Sequence, residues 1–341
     1  MKRPSPASCV ALAGVLACAM TAASATTATA QAKRKQVTIS ALSAPFGTAS
    51  YVLFGALEQI SKKHPWLRIV ASESPGFVFN LKKLDAEPAL RKSTIIGSGP
   101  AVGRLATTGS KPFDKKLPKV KLIANYTIVV VWLAALEGNI KGPADVPGKR
   151  VALGKAAQIN WAILPRAVME HGWGIPASKV TLQYLGPKPA IAALLDRKAD
   201  LAIAGSYIDP ADDRIAHSPQ TTELLATGRA LTHLSWGTQA VTKTEPKGFA
   251  IAPYTIPAKK IDGKNPPLET FVDSAAWTVM DEFPEDIAYE VTKLIIQNIK
   301  AFGEVHAIGK LMSPKGLVYG WKHQDIHPGA LRAYKEAGII K

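Results

Sequence analysis

Apolar positions along the chain recur in two rhythms, and the pair of rhythms occurs twice. The run Val37-Thr38-Ile39-Ser40 reads as a strand, and a stretch over about 48–63 follows in which Val52, Ala56 and Ile60 repeat at helical spacing with Leu53 and Leu57 alongside. Leu67 to Ala71 reads as a second strand, then a polar helix around 80–90, then a strand Thr94-Ile95-Ile96 that ends in Gly97-Ser98-Gly99. The same order returns from Arg150. A strand to Leu153 leads through a loop to a helix reaching His171. A strand over 180–184 is followed by a helix with Ile191, Leu194 and Leu195 on one face, and a strand over 200–204 ends in Gly205-Ser206. Corresponding strands lie on the order of 110 residues apart, too far for a solenoid repeat.

Alternating β and α units imply parallel sheets covered by helices, and two such units in tandem imply two similar lobes of α/β class. The length of 341 residues agrees, since one core rarely organises so many. The C-terminal third differs. Phe271 to Met280 reads as a strand, and Pro284 opens a helix with Glu285 and Asp286 in its first turn. Ile287, Val291, Leu294, Asn298 and Phe302 trace one face, widened by Ile295 and Ile299, and the region is expected to return and cover the first lobe.

In open parallel sheets ligands bind beyond the carboxyl ends of the strands. That rule selects four loops, Ala41 to Ser50, Gly97 to Gly103, Gly154 to Trp161 and Gly205 to Pro210. Ser43, Thr48 and Ser50 offer hydroxyls in the first, beside Phe46, Gly47 and Tyr51. Lys155, Gln158 and Asn160 supply a cation and two amides in the third, next to Trp161, and Ser98, Ser206 and Tyr207 add donors. The third loop is expected to enter its helix near Ala162, because Pro165 fits only a first turn. Taken singly, each Ser, Thr or Asn reads first as a helix cap; the loops as a group are the candidate site.

Composition narrows the compartment. Lys2 and Arg3, an apolar run from Cys9 to Met20 and small residues to Ala32 read as a secretory leader over 1–32, with Ala30-Gln31-Ala32 as the cleavage signature. Val15-Leu16-Ala17-Cys18 is the competing lipobox reading. The only two cysteines, Cys9 and Cys18, fall in this segment, so thiol catalysis and cysteine-ligated metals are excluded from the mature chain. The net charge of +16 suits acidic solutes, although the densest cluster, Lys33-Arg34-Lys35, reads as a solvated tail. Ile128 to Leu136 is too short for a membrane span and reads as a buried strand.

No chemistry-bearing motif is complete. Gly97-Ser98-Gly99 lacks the first glycine of a nucleophile elbow, and Gly97, Gly99 and Gly103 miss the dinucleotide spacing. His323 and His327 have helical zinc spacing, but Pro328 follows at once, so they read as a surface loop. Asp209, Asp212 and Asp213 read as a solvated acidic loop. Trp161, Trp173, Trp236 and Trp277 read as core, with Trp161 and Trp236 able to wall a cleft. No cofactor, metal, nucleic-acid or catalytic motif is found.

Three segments carry a resemblance. His327-Pro328-Gly329-Ala330-Leu331-Arg332-Ala333-Tyr334-Lys335-Glu336-Ala337-Gly338 is similar to the closing H-P-G-A-x-R-Y-Y-x-E-x-G of the TAXI group of solute-binding proteins that serve TRAP transporters. Phe283-Pro284-Glu285-Asp286-Ile287-Ala288-Tyr289-Glu290-Val291-Thr292-Lys293 resembles its L-P-E-D-x-x-Y-x-x-T-K helix, and Pro147-Gly148-Lys149-Arg150-Val151-Ala152-Leu153-Gly154 its L-x-G-K-R-V-x-x-G entry to the second lobe. The departures fall in the loops. Only Gly47 and Tyr51 match the first loop's T-G-x-x-G-x-Y-Y, and Lys155 to Asn160 replaces the second loop's P-x-G-S-G-T.

The resemblance implies a type II periplasmic-binding fold: two Rossmann-like lobes with mixed, mainly parallel sheets joined by a hinge that closes on a small carboxylate such as glutamate. Two lobes joined by two crossings would close in this way physically. The crossings are placed near Asn125 to Thr127 and His233 to Thr244, giving residues 33–124 to lobe I, 125–244 to lobe II and 245–341 to the return. The expected function is an extracytoplasmic receptor, monomeric and periplasmic, that hands a small organic acid or amino acid to a TRAP-type permease. A sensor presenting to a membrane receptor and an exported hydrolase are the alternatives.

Overall fold

The computed structural model describes residues 35–46, 48–138 and 140–341; the expected leader and the candidate Gly47 lie outside them. The first alternation folds as β1 (Val37–Leu42), α1 (Ala49–Ser61), β2 (Leu67–Ser72), α2 (Phe77–Ala86), β3 (Thr94–Ser98) and α3 (Pro100–Thr108). Thr48 starts α1: its Oγ1 accepts the Tyr51 N–H at 3.2 Å, and Leu53, Phe54, Leu57 and Ile60 then bury one face. A long strand, β4 (Lys121–Leu136), leads to the second alternation, β5 (Arg150–Leu153), α4 (Leu164–Ala167), β6 (Thr181–Tyr184), α5 (Pro187–Leu195) and β7 (Leu201–Asp209). β8 (Arg214–His217), α6 (Pro219–Ala226), β9 (Leu231–Leu234), α7 (Thr238–Thr244), β10 (Ala252–Ile256) and β11 (Leu268–Val279) follow, then α8 (Glu285–Gln297), α9 (Ile299–Val305) and α10 (Pro328–Glu336).

The strands form one mixed sheet in the order β2-β1-β3-β11-β4-β7-β5-β6, with β8, β9 and β10 pairing β7, β4 and β11 at its side. Within it β1 lies parallel between β2 and β3, and β5 lies parallel between β6 and β7. The duplicated order of the sequence is therefore a duplicated topology.

Two strands carry the chain between the halves. On β4, Leu122 to Tyr126 pack with Ile39, Leu53 and Trp277, whereas Ile128 to Ala135 pack with Leu153, Ile191 and Leu201. On β11, Phe271 and Val272 belong to the second group, and Ala275 to Val279 to the first. The two are antiparallel neighbours, with Asp273 opposite Val129 and Ser274 opposite Ile128, and a register shift follows at Ala275/Ala276, where a bulge bends the pair. Beside the crossing, Leu81, Ile96, Val102 and Leu105 on the other face of the first half join the second core, so apolar packing is continuous there.

The crossing near Asn125 to Thr127 coincides with this change of core on β4. The one placed at His233 to Thr244 does not. That segment is β9, paired with Leu133 to Leu136 of β4, and α7, whose Ala240 packs on Gly172. The chain keeps packing with the second core until Val272 because β10 pairs with the start of β11, and on β11 the change of core falls at Asp273. Residues 285–302 then pack on the first core through Ile287, Val291, Leu294, Ile295 and Phe302.

The entry to the helix after β5 also differs from expectation. Wide helical turns begin at Ile159, and α4 sits between them and a second set at Val168–Gly172. Pro165 has no N–H to give Trp161, and its ring crowds that carbonyl. The carbonyl instead accepts the Gly154 N–H at 2.8 Å, tying the end of β5 to the helix. Among the described residues no helix is long and apolar enough to cross a membrane.

Candidate functional site

Polar groups from both halves come together where β4 and β11 pass from one core to the other. From the first half come the start of α1 and the Ser98–Ala101 turn into α3; from the second come Asn160, Trp161 and Tyr207. Ser98 is fully buried and, among the described residues, its Oγ has no hydrogen-bond partner; Asn160 Oδ1 is likewise buried and unpartnered. Asp273, 6% exposed on β11, lies beside the Asn160 side chain. Its Oδ1 accepts the Ala101 N–H at 3.3 Å, at the start of α3, and Gly99 packs against Ser274. Burial raises the Asp273 carboxyl to about 7, opposed by the Ala101 and Ser274 N–H groups and by the Asn160 side chain. A cavity of about 260 Å³ opens here, walled by Pro100, Glu245, Ile251, Val272, Asp273 and Tyr319 among others.

On β4 a second polar group sits at the crossing. Ser50 Oγ and Tyr126 Oη lie 2.7 Å apart, both buried, and the Tyr126 ring meets Trp277 at a tilt, 4.9 Å between centroids. Burial raises the Tyr126 phenol strongly. Tyr207 packs against both cores, and burial pushes its hydroxyl up to about 12. Both phenols are therefore neutral donors at any ordinary pH.

The candidates from the sequence separate into those at this crossing and those held elsewhere. Ser98, Asn160, Trp161 and Tyr207 are at it. The Trp161 ring lies against Gly205, where an added Cβ would come within 2.9 Å of it. Thr48 is an α1 cap whose hydroxyl donates to the Pro45 carbonyl at 2.8 Å. Phe46 is 75% exposed and meets half-buried Tyr51 edge-on at 5.1 Å, so both sit at the rim. Ser43 spends its hydroxyl on the Ser72 and Ala44 carbonyls and closes the turn beside β2. Gln158 Oε1 accepts the Lys155 N–H at 2.8 Å, a local turn, and the exposed Lys155 lays its stem along Gly186.

Several expectations are corrected. Gly205 to Pro210 is not a loop, because β7 continues to Asp209 between β4 and β8. Ser206 is thus a buried strand residue bonded to His217 Nδ1 at 2.8 Å, not a free donor. Asp209 is not solvated; it is buried against Arg214 Nη2 at 2.6 Å and Ser313 Oγ at 2.8 Å. His327 is no surface loop either. It is buried and caps α10, accepting the Gly329 N–H while its Nε2 meets the Phe283 carbonyl at 3.1 Å. Trp236 walls no cleft: it is core, donating to the Val131 carbonyl at 2.7 Å.

Sequence reasoning missed Asp273, Tyr126, Glu245 and Tyr319. Asp273 carried a signal, a lone acid inside the otherwise apolar and small run Phe271 to Ala276. Among the described residues no group of three His, Cys, Asp or Glu side chains is placed to hold a metal ion.

Solved structures share this architecture at low identity. A TctC solute-binding protein from Polaromonas superposes with a TM-score of 0.53 at 15% identity, over 89% of this chain and 96% of that one. A Xanthomonas citri protein solved bound to ATP gives 0.50 at 10% identity, over 89% and 97%. A structure described as a periplasmic transporter gives 0.50 at 14% identity, over 88% and 94%. These likenesses show the periplasmic-binding-protein fold. The sequence itself matches one family model across nearly all of the described residues, from 42 to 338. The chain belongs to the NMT1-like family.

Proposed function

We propose that the chain is a periplasmic solute receptor that captures a small carboxylate or amino acid at the crossing of β4 and β11 and delivers it to a TRAP-type permease, as the TAXI resemblance of 283–293 and 327–338 implies. One observation carries the reading. Each half brings one buried, unpartnered polar oxygen, Ser98 Oγ and Asn160 Oδ1, to the segments that border Asp273. Buried polar atoms in folded chains are nearly always paired, and two oxygens left unspent near the change of core, one from each half, fit a guest that bonds to both halves at once, while Asp273 itself walls the cavity. Such a guest holds the halves together, and the paired strands β4 and β11 are the hinge about which they close.

Thermal unfolding of the mature chain against carboxylic acids, amino acids and sugars tests this. A ligand at 100 times its Kd stabilises by about 2.7 kcal/mol, a rise of about 5 °C for a chain of this size. Acids or amino acids should give that rise; a rise confined to sugars overturns the reading. Delivery is checked in proteoliposomes holding a TRAP-type permease, where uptake should require the receptor.

A further inference from the structure

Two buried carboxylates in this chain are treated in opposite ways. Asp209 has Arg214, Ser313 Oγ and the Ala211 N–H around it. Asp273 is also buried, yet among the described residues no Lys, Arg or His forms an ion pair with it, and neutral groups alone donate to it: the long Ala101 bond, the Ser274 N–H and the Asn160 amide. Buried charges are ordinarily paired, so the first acid is structural and the second is short of a cation. The cavity at its door deepens the contrast. In a chain with 42 Lys and Arg against 26 Asp and Glu, the residues walling it include Asp273, Glu245 and the Tyr319 ring but no basic side chain. At about 260 Å³ it lies below the ~300–1,000 Å³ usual for drug-sized ligands, so it suits a small guest.

We propose that the solute carries an ammonium group seated on the Asp273 carboxylate, with Asn160 Oδ1 as a second acceptor, so that the ligand is an amino acid and not a plain carboxylate. This rests on the receptor reading above and narrows it. A plain acid placed here would face two carboxylates; an ammonium supplies the missing counter-charge and a donor for the unpartnered Asn160 oxygen. The raised value of the Asp273 carboxyl is what an uncompensated site shows, and an ammonium beside it favours the ionised form.

Calorimetry at pH 8 on the mature chain would compare the L-amino acids with their counterparts lacking the α-amine, such as L-glutamate with glutarate and L-leucine with 4-methylpentanoate. At least one amino acid should bind ~10–100-fold tighter than its counterpart, and Asp273→Asn should remove that preference, since a hydrogen bond to a charged group is lost. The wild type supplies a second readout that needs no variant. Affinity for the amino acid should fall about tenfold per pH unit below 7, while that of a bound counterpart acid does not. Glu245 and Tyr319 share the cavity, and Pro100, Ala101, Ser274 and Asn160 face Asp273 with neutral groups only. Equal affinity for both members of each pair, or a variant that keeps the preference, overturns the proposal while leaving a carboxylate receptor standing. Absence of binding by either class overturns the proposal and the receptor reading together.

Discussion

Asp273→Asn replaces a charge that the fold buries at a cost, and the cost can be worked out. The carboxyl moves from 3.8 to about 7 on folding. At 1.36 kcal/mol per pKa unit, ionising it inside the folded chain costs about 4 kcal/mol relative to the unfolded one. Below pH 4 the group is protonated in both states and contributes nothing. Between pH 4 and 7 the folded chain holds a proton that the unfolded chain releases, so stability falls as pH rises. Above pH 7 the loss is complete. Asparagine keeps the shape and an acceptor for the Ala101 N–H while carrying no charge. Urea unfolding without ligand, at pH 4.5 and pH 8, isolates the effect, because every other titration cancels between variant and wild type. The two should match within about 1 kcal/mol at pH 4.5, and the variant should gain up to about 4 kcal/mol at pH 8. An equal difference at both pH values, or a variant less stable at pH 8, would refute the argument that this carboxylate is buried without compensation.

Three further outcomes follow from other contacts. Arg214→Ala should cost about 2–3 kcal/mol in urea unfolding, under the 3–5 of fully buried pairs, because Asp209 stays buried while Arg214 is 42% exposed. Gly205→Ala should lower stability by about 1–3 kcal/mol, since its Cβ would lie 2.8 Å from the Val130 carbonyl oxygen and 2.9 Å from the Trp161 ring; ligand affinity should drop with it, as measured by calorimetry. Lys155→Ala should weaken acid-bearing ligands only about two- to fivefold at low salt, through long-range attraction that 0.5 M salt abolishes. An unchanged low-salt affinity would leave that lysine a purely solvated charge.

The sequence by itself determined the elements and their duplicated order. Helix α1, strands β1, β2 and β5 and the face of α8 are written in local periodicity, which depends only on neighbours a few residues apart. The parallel triplets followed because alternating units have few ways to pack. The second crossing was not legible, since the change of core at Asp273 depends on β10 and β4, far apart in sequence, pairing with one strand. The fate of each polar candidate was not legible either. Ser43, Ser98 and Ser206 are alike as letters, yet one bonds Ser72, one bonds nothing and one bonds His217. A hydroxyl's partner lies wherever the fold brings a second polar atom within about 3 Å. Only the tertiary structure decided which oxygens stay unspent, and that Asp273, unlike Asp209, was buried without a cation.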